Sequence, residues 1–186
     1  GEEIANIIKS FVGENYSNNA VLYRTNMEAR SLVDTFTRRK IPFVLLDKGY
    51  NFFEHFICKD IINYLTLSID QFNKEAFNSI INKPFRYVSK SNLSYVSSYR
   101  EHRNVFDILI NKNDIPPFQA KKLDELKKEI IYLNKISLGS AIQYIISSLG
   151  YIDYLREYAN KFNQNFSDLE DVLEELKGAA EGFKTI

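Results

Sequence analysis

The sequence predicts a mixed fold: a short strand-helix-strand piece of α/β type over residues 1–50, followed by an all-helical domain over 51–186. Three observations predict it. Two short apolar runs, Ala20 to Tyr23 and Phe43 to Leu46, flank a stretch of helical periodicity. From about Phe56 onward the apolar residues recur only at helical spacing. With 186 residues, 45% of them hydrophobic and 26% charged, the composition is that of packed domains, and the length suits one sizeable domain or one domain plus part of another.

Ala20 to Tyr23, bounded upstream by the polar Asn15-Tyr-Ser-Asn-Asn19, reads as a buried strand. Thr25 followed by Glu28 has the spacing of a capping box and predicts a helix start. Leu32, Val33 and Phe36 continue that helix, and Arg38, Arg39 and Lys40 place positive charge in its last turn, where it complements the dipole. Pro42 stops the helix, and Phe43 to Leu46 suits a buried parallel strand. Ligands of such sheets lie at the carboxyl ends of strands, where Arg24 and Asn26 fall. Taken alone, these two residues admit contacts to phosphate and base, or a paired Arg beside a helix-starting Asn.

Phe52 and Phe53 read as packing residues ahead of an amphipathic helix marked by Ile57, Ile61, Ile62, Leu65 and Ile69. Further apolar faces follow at Ala76, Phe77, Ile80 and Ile81, at Leu123, Leu126, Ile130, Ile131 and Leu133, along the Ile-rich 141–149, and at Leu169, Val172, Leu173 and Leu176. Ser137 is placed as an N-cap, Gly150 as a helix terminator and Pro116-Pro117 as a break.

Net formal charge is zero, yet it is segregated. Lys83 to Arg103 holds five basic residues against Glu101 alone, and the last twenty residues hold six acids and two lysines. A single Cys excludes an internal disulfide, the apolar runs are too short for a bilayer, and no secretory pattern opens the chain. The expectation is a cytoplasmic protein without a membrane partner.

The stretch Ala20-Val-Leu-Tyr-Arg-Thr-Asn-Met-Glu-Ala-Arg30 resembles motif IVa, AVLYRTNxxSR, of the UvrD/PcrA/Rep family of superfamily 1 DNA helicases. Lys48 to Leu65 is similar to that family's GGxxFFxRxEIKDxxAYL segment. It matches at Gly49, Phe52, Phe53, Glu54, Lys59, Asp60, Tyr64 and Leu65 and departs at Lys48, His55 and Ile57. Ile80 to Leu93 resembles IINxPxRGIGxxT through Asn82, Pro84 and Arg86, with Tyr87-Val88-Ser89 where the family has Gly-Ile-Gly. Leu138 to Arg156 looks like the helix ending in SGYxxxL, and Asn165 to Ile186 like the segment leading toward motif V.

The resemblance implies a RecA-like motor piece (part of domain 2A) at 1–50 and most of the helical domain 2B at 51–186. It implies single-stranded DNA contacts at Arg24, Thr25 and Asn26, and duplex contacts at Arg86, Lys90, Ser91 and Asn92. A cation, a hydroxyl and an amide at a helix start suit an anion. The Gly-Ile-Gly turn lets duplex phosphates approach main-chain amides, which needs residues without side chains. Here the expectation is duplex binding that is either weakened or moved to side chains. Most aromatic residues read as core, and the interleaved Arg86, Tyr87, Lys90, Tyr95, Tyr99 and Arg100 form the one basic and aromatic stretch open to base stacking.

Glu54, His55, Cys58 and Asp60 raise a metal or nucleophile reading, but the chain has one Cys and two His and no second ligand pair at zinc spacing. A buried Cys beside a surface His is the expectation, with no catalytic or metal residues. No GxxxxGK[ST] phosphate loop occurs, and nothing resembles the acidic magnesium motif or the later arginine motifs. The chain therefore reads as a segment of a longer ATP-dependent DNA helicase or translocase, inactive alone and without a cofactor of its own. In the intact parent, ATP and Mg2+ would be the cofactors, single-strand/duplex junction DNA and the remaining motor domains the partners, and DNA repair a role. Two other readings stay open. One is a stand-alone nucleic-acid-binding module that lacks a motor. The other is a protein-interaction module docking a basic partner on the acidic 168–175.

Overall fold

The computed structural model describes residues 2–12, 16–23, 26–46 and 52–181. Among these residues there are ten α-helices and two 3-10 turns, and no strand. The chain divides into two compact units, Gly1–Asn51 and Phe52–Ile186.

In the first unit α1 (Glu2–Val12) packs on α2 (Asn26–Arg38). Ala5, Leu32, Phe36 and Ile41 form the core, with Ile4, Ile8, Tyr16, Val21 and Tyr23 packed against it. The basic end of α2 is answered by α1: an Arg38 Nη atom lies 3.0 Å from the Glu2 carboxylate, and Arg39 pairs with Glu2 and donates to Asn6. These exposed pairs contribute little each, on the order of 0.5 kcal/mol.

The expected strands at 20–23 and 43–46 are not formed, so the mixed α/β class is corrected to an all-helical one among the described residues. A strand exists through hydrogen bonds to a neighbouring strand, and no described segment supplies them. Each run instead offers only some of its residues to the core. Val21 and Tyr23 turn inward, while Leu22 is 94% exposed and Val44 and Leu46 are 78% and 90% exposed. An apolar run reports a wish for burial, and helices satisfied part of it.

In the second unit α3 (Phe56–Ile69) is the central element, packed against α4 (Lys74–Ile80), α7 (Pro117–Leu133), α8 (Leu138–Ser147) and α10 (Phe166–Ala180). Its buried residues Ile57, Cys58, Asp60, Ile61, Tyr64, Leu65, Leu67 and Ser68 wrap most of the helix, as burial from several sides requires. The chain runs from α4 through α5 (Lys90–Ser98) and α6 (Val105–Ile110) to α7, and α9 (Tyr151–Phe162) lies against α8 and α10. Helix starts are specified locally. His55, Asn73, Ser89, Asn104, Ser137 and Asn165 each accept from a backbone amide of the first turn. Pro117 occupies the first position of α7, where a missing N–H is harmless. Gly150 separates α8 from α9 at φ 76°, a left-handed conformation that side chains disfavour. Phe52 is buried as expected, but Phe53 is 47% exposed.

Candidate nucleic-acid interface

In the second unit Asp60, Tyr64 and Tyr151 form a polar network with the turn between α4 and α5, residues 82–89. Asp60 on α3 is 3% exposed. One of its carboxylate oxygens accepts from Lys83 Nζ at 2.6 Å and the other from the Tyr151 hydroxyl at 2.8 Å. Tyr64, one helical turn on and so on the same face, donates its hydroxyl to the Lys83 carbonyl. Arg86 donates to that hydroxyl at 3.2 Å, to the carbonyls of Ile80, Ile81 and Pro84 at 3.4, 3.1 and 3.2 Å, and to the Leu149 carbonyl at 3.3 Å. The guanidinium thus meets carbonyls at and just beyond the end of α4, of which Ile80 also accepts from the Lys83 amide at 2.9 Å, and ties them to the α8–α9 junction. Burial raises the Asp60 pKa from its ordinary 3.8, with Lys83 and the Tyr151 hydroxyl pulling the other way. Burial likewise raises the phenols of Tyr64 and Tyr151, so both remain donors.

Above this network the backbone is clamped. Asn82 Oδ1 accepts from the amides of Arg86 and Val88 at 3.2 and 3.1 Å, and its Nδ2 donates to the Val88 carbonyl at 2.7 Å. Gln119 of α7 donates to the Tyr87 carbonyl at 2.8 Å. Val88 is buried, anchoring the turn. Tyr87 sits at φ 61°, where a residue with a Cβ costs roughly 1 kcal/mol or more. It occupies the position of the first glycine in the Gly-Ile-Gly pattern and keeps a glycine-type backbone. Phe85 and Tyr87 are 61% and 70% exposed, with ring centroids 4.7 Å apart. Ser89 then caps α5, accepting from the Asn92 amide at 3.2 Å.

The expected duplex-contacting residues therefore divide. Lys90 and Ser91 are exposed in the first turn of α5. Asn92 is half-buried and accepts from Lys112 Nζ at 3.0 Å, and Lys112 also pairs with Asp114 and lies 5.2 Å from the centre of the Tyr95 ring. Arg86 is engaged by protein acceptors. Of the expected single-strand contacts, Arg24 and Thr25 lie outside the described residues, and Asn26 is the first residue of α2. Lys48 and Gly49 also lie outside the described residues.

The Glu54, His55, Cys58, Asp60 group is dispersed. Glu54 pairs with Lys59, His55 caps α3, Cys58 is fully buried and Asp60 serves the network. Burial lowers the His55 pKa, which suits a ring nitrogen that accepts from the Ile57 amide. Among the described residues no group of three or more His, Cys, Asp or Glu is arranged to hold a metal ion. Asp60, Tyr64, Asn82, Pro84, Arg86 and Tyr151 come from three separate sequence segments, 48–65, 80–93 and 138–156. Polar types at otherwise apolar helix positions, such as Asp60 among isoleucines, were the available signal that they meet.

Fold and site together define a helical module that displays one rigidly shaped, aromatic and cation-bearing turn. The chain belongs to the UvrD-like helicase C-terminal domain family, whose model matches residues 1–182. It is 27% identical over 190 residues to a probable DNA helicase II homolog of Rickettsia conorii, covering 96% of this chain and 29% of that protein. It is 28% identical over 192 residues to the putative ATP-dependent DNA helicase YjcD of Bacillus subtilis, covering 100% of this chain and 25% of that protein. To the ATP-dependent DNA helicase PcrA of Staphylococcus epidermidis it is 25% identical over 173 residues, covering 87% and 23%. The chain spans about a quarter of the length of these curated relatives. Among the described residues no helix is long and apolar enough to cross a membrane.

Proposed function

We propose that the intact protein is an ATP-dependent DNA helicase or translocase, acting in DNA repair in the cytoplasm with ATP and Mg2+ held by parts of the motor other than this chain. In this reading residues 1–50 are part of motor domain 2A and 51–186 are domain 2B. The family match across residues 1–182 carries the reading. Exposed Leu22, Val44 and Leu46 are apolar side chains of the kind that a surrounding motor domain would cover. Arg24, Thr25 and Asn26 contact single-stranded DNA, and the turn leading into α5 faces the single-strand/duplex junction. Lys90 and Ser91 make the polar contacts there, Asn92 supports them, and Arg86 holds the turn in shape from beneath.

Fluorescence anisotropy of a labelled junction DNA across a salt titration tests this. Binding should weaken steeply with salt, and Lys90→Ala should reduce the slope of log affinity against log salt by about 1 while leaving the fold intact. Absence of binding at low salt would reject this chain as a DNA contact and leave DNA to the other parts of the motor.

A further inference from the structure

We infer that Phe85 and Tyr87 form a stacking platform for unpaired DNA bases, so that this turn grips the single-stranded side of a junction. The inference rests on the proposed reading and specifies which part of the DNA the turn receives. An intact duplex offers only sugar, phosphate and base edges along its length, whereas an unpaired base offers a π face.

Four features support it. Both rings stand largely in solvent and meet at 59°, so they present a ledge instead of packing into the core. The ledge is rigid, because Asn82 and Gln119 clamp the backbone of residues 86–88 and buried Val88 pins it, so little freedom is lost when a ligand arrives. Tyr87 carries its ring at a left-handed position where glycine would sit without strain, and the ring remains 70% exposed. The surroundings are polar and cationic: Ser89, Lys90 and Ser91 follow directly and are exposed, which fits a base with its phosphate and suits a nonpolar protein partner poorly. The Tyr87-Val88-Ser89 triplet closes off close approach of phosphates to the main chain and supplies aromatic surface in its place.

The test uses junction DNA with 2-aminopurine in the single-stranded arm, titrated with the 186-residue chain and with Phe85→Ala and Tyr87→Gly. Tyr87→Gly removes the ring but suits the backbone, so its denaturation midpoint should equal or exceed that of the parent chain. The platform predicts fluorescence quenching of about twofold or more on binding. It also predicts a roughly 5- to 100-fold loss of affinity in each variant, with the salt dependence unchanged. Binding detected by anisotropy with no quenching, or variants that bind and quench like the parent, would overturn the platform and leave the proposed function standing. No binding at low salt would overturn the platform together with the DNA contact proposed for this turn.

Discussion

Arg86→Ala is expected to destabilise the helical unit by about 3 kcal/mol in urea unfolding, and Arg86→Lys to recover less than half of that loss. The guanidinium serves the carbonyls of Ile80, Ile81, Pro84 and Leu149 and the Tyr64 hydroxyl at once. An ammonium has three donors on a flexible stem and cannot reproduce that fork. Loss of the side chain removes this donor from the carbonyls of Ile81, Pro84 and Leu149, while Ile80 keeps the Lys83 amide; an unmet buried acceptor is the expensive half of a hydrogen-bond deletion. Weakened DNA binding in this variant would follow the unfolded fraction. A cost below about 1 kcal/mol would show instead that the guanidinium is dispensable to the fold and free to meet a ligand.

Asp60→Ala should cost about 2–4 kcal/mol near neutral pH, whereas Asp60→Asn should cost less than about 1 kcal/mol. Alanine strands the Tyr151 hydroxyl, which is fully buried, and removes the partner of Lys83. Asparagine keeps an acceptor for Tyr151, and Lys83, with 30% of its side chain exposed, can turn to water. The sign of the pH dependence follows from the raised Asp60 pKa. A folded-state carboxyl that holds its proton above 3.8 stabilises the fold when protonated, and that contribution fades as pH rises through the raised value. The stability advantage of the parent over Asp60→Ala should therefore widen as pH falls through the raised value toward 3.8. Denaturant midpoints at several pH values measure it, and an advantage that shrinks on acidification would mean that the ion pair with Lys83 dominates.

Helices with strong periodicity were legible in the residues: Ile57, Ile61 and Leu65 mark α3, and Leu123, Leu126 and Ile130 mark α7. Caps at Ser137 and the turn at Gly150 were legible because their chemistry is local. The runs at 20–23 and 43–46 misled, since an apolar run does not carry the identity of its packing partner. Helix α6, Val105–Ile110, is a six-residue and mostly apolar segment, too short for periodicity to separate helix from strand. Helix α1 carries Ile4 and Ile8 on one face, a signal present but brief. The site was half legible. Lys90 and Ser91 could be placed at an exposed helix start from sequence, but the inward commitment of Arg86 depends on Tyr64 and Leu149, 22 and 63 residues away. No local pattern encodes a contact of that range.

The central claim, that the turn between α4 and α5 is where the helical unit meets DNA, is tested most directly by amide hydrogen exchange with and without saturating junction DNA. The account predicts slowed exchange concentrated in residues 85–92, whose amides lie on and just beyond the clamped turn, with α10 unchanged. Unchanged exchange at 85–92 together with protection elsewhere in the unit would contradict it and move the interface to another face.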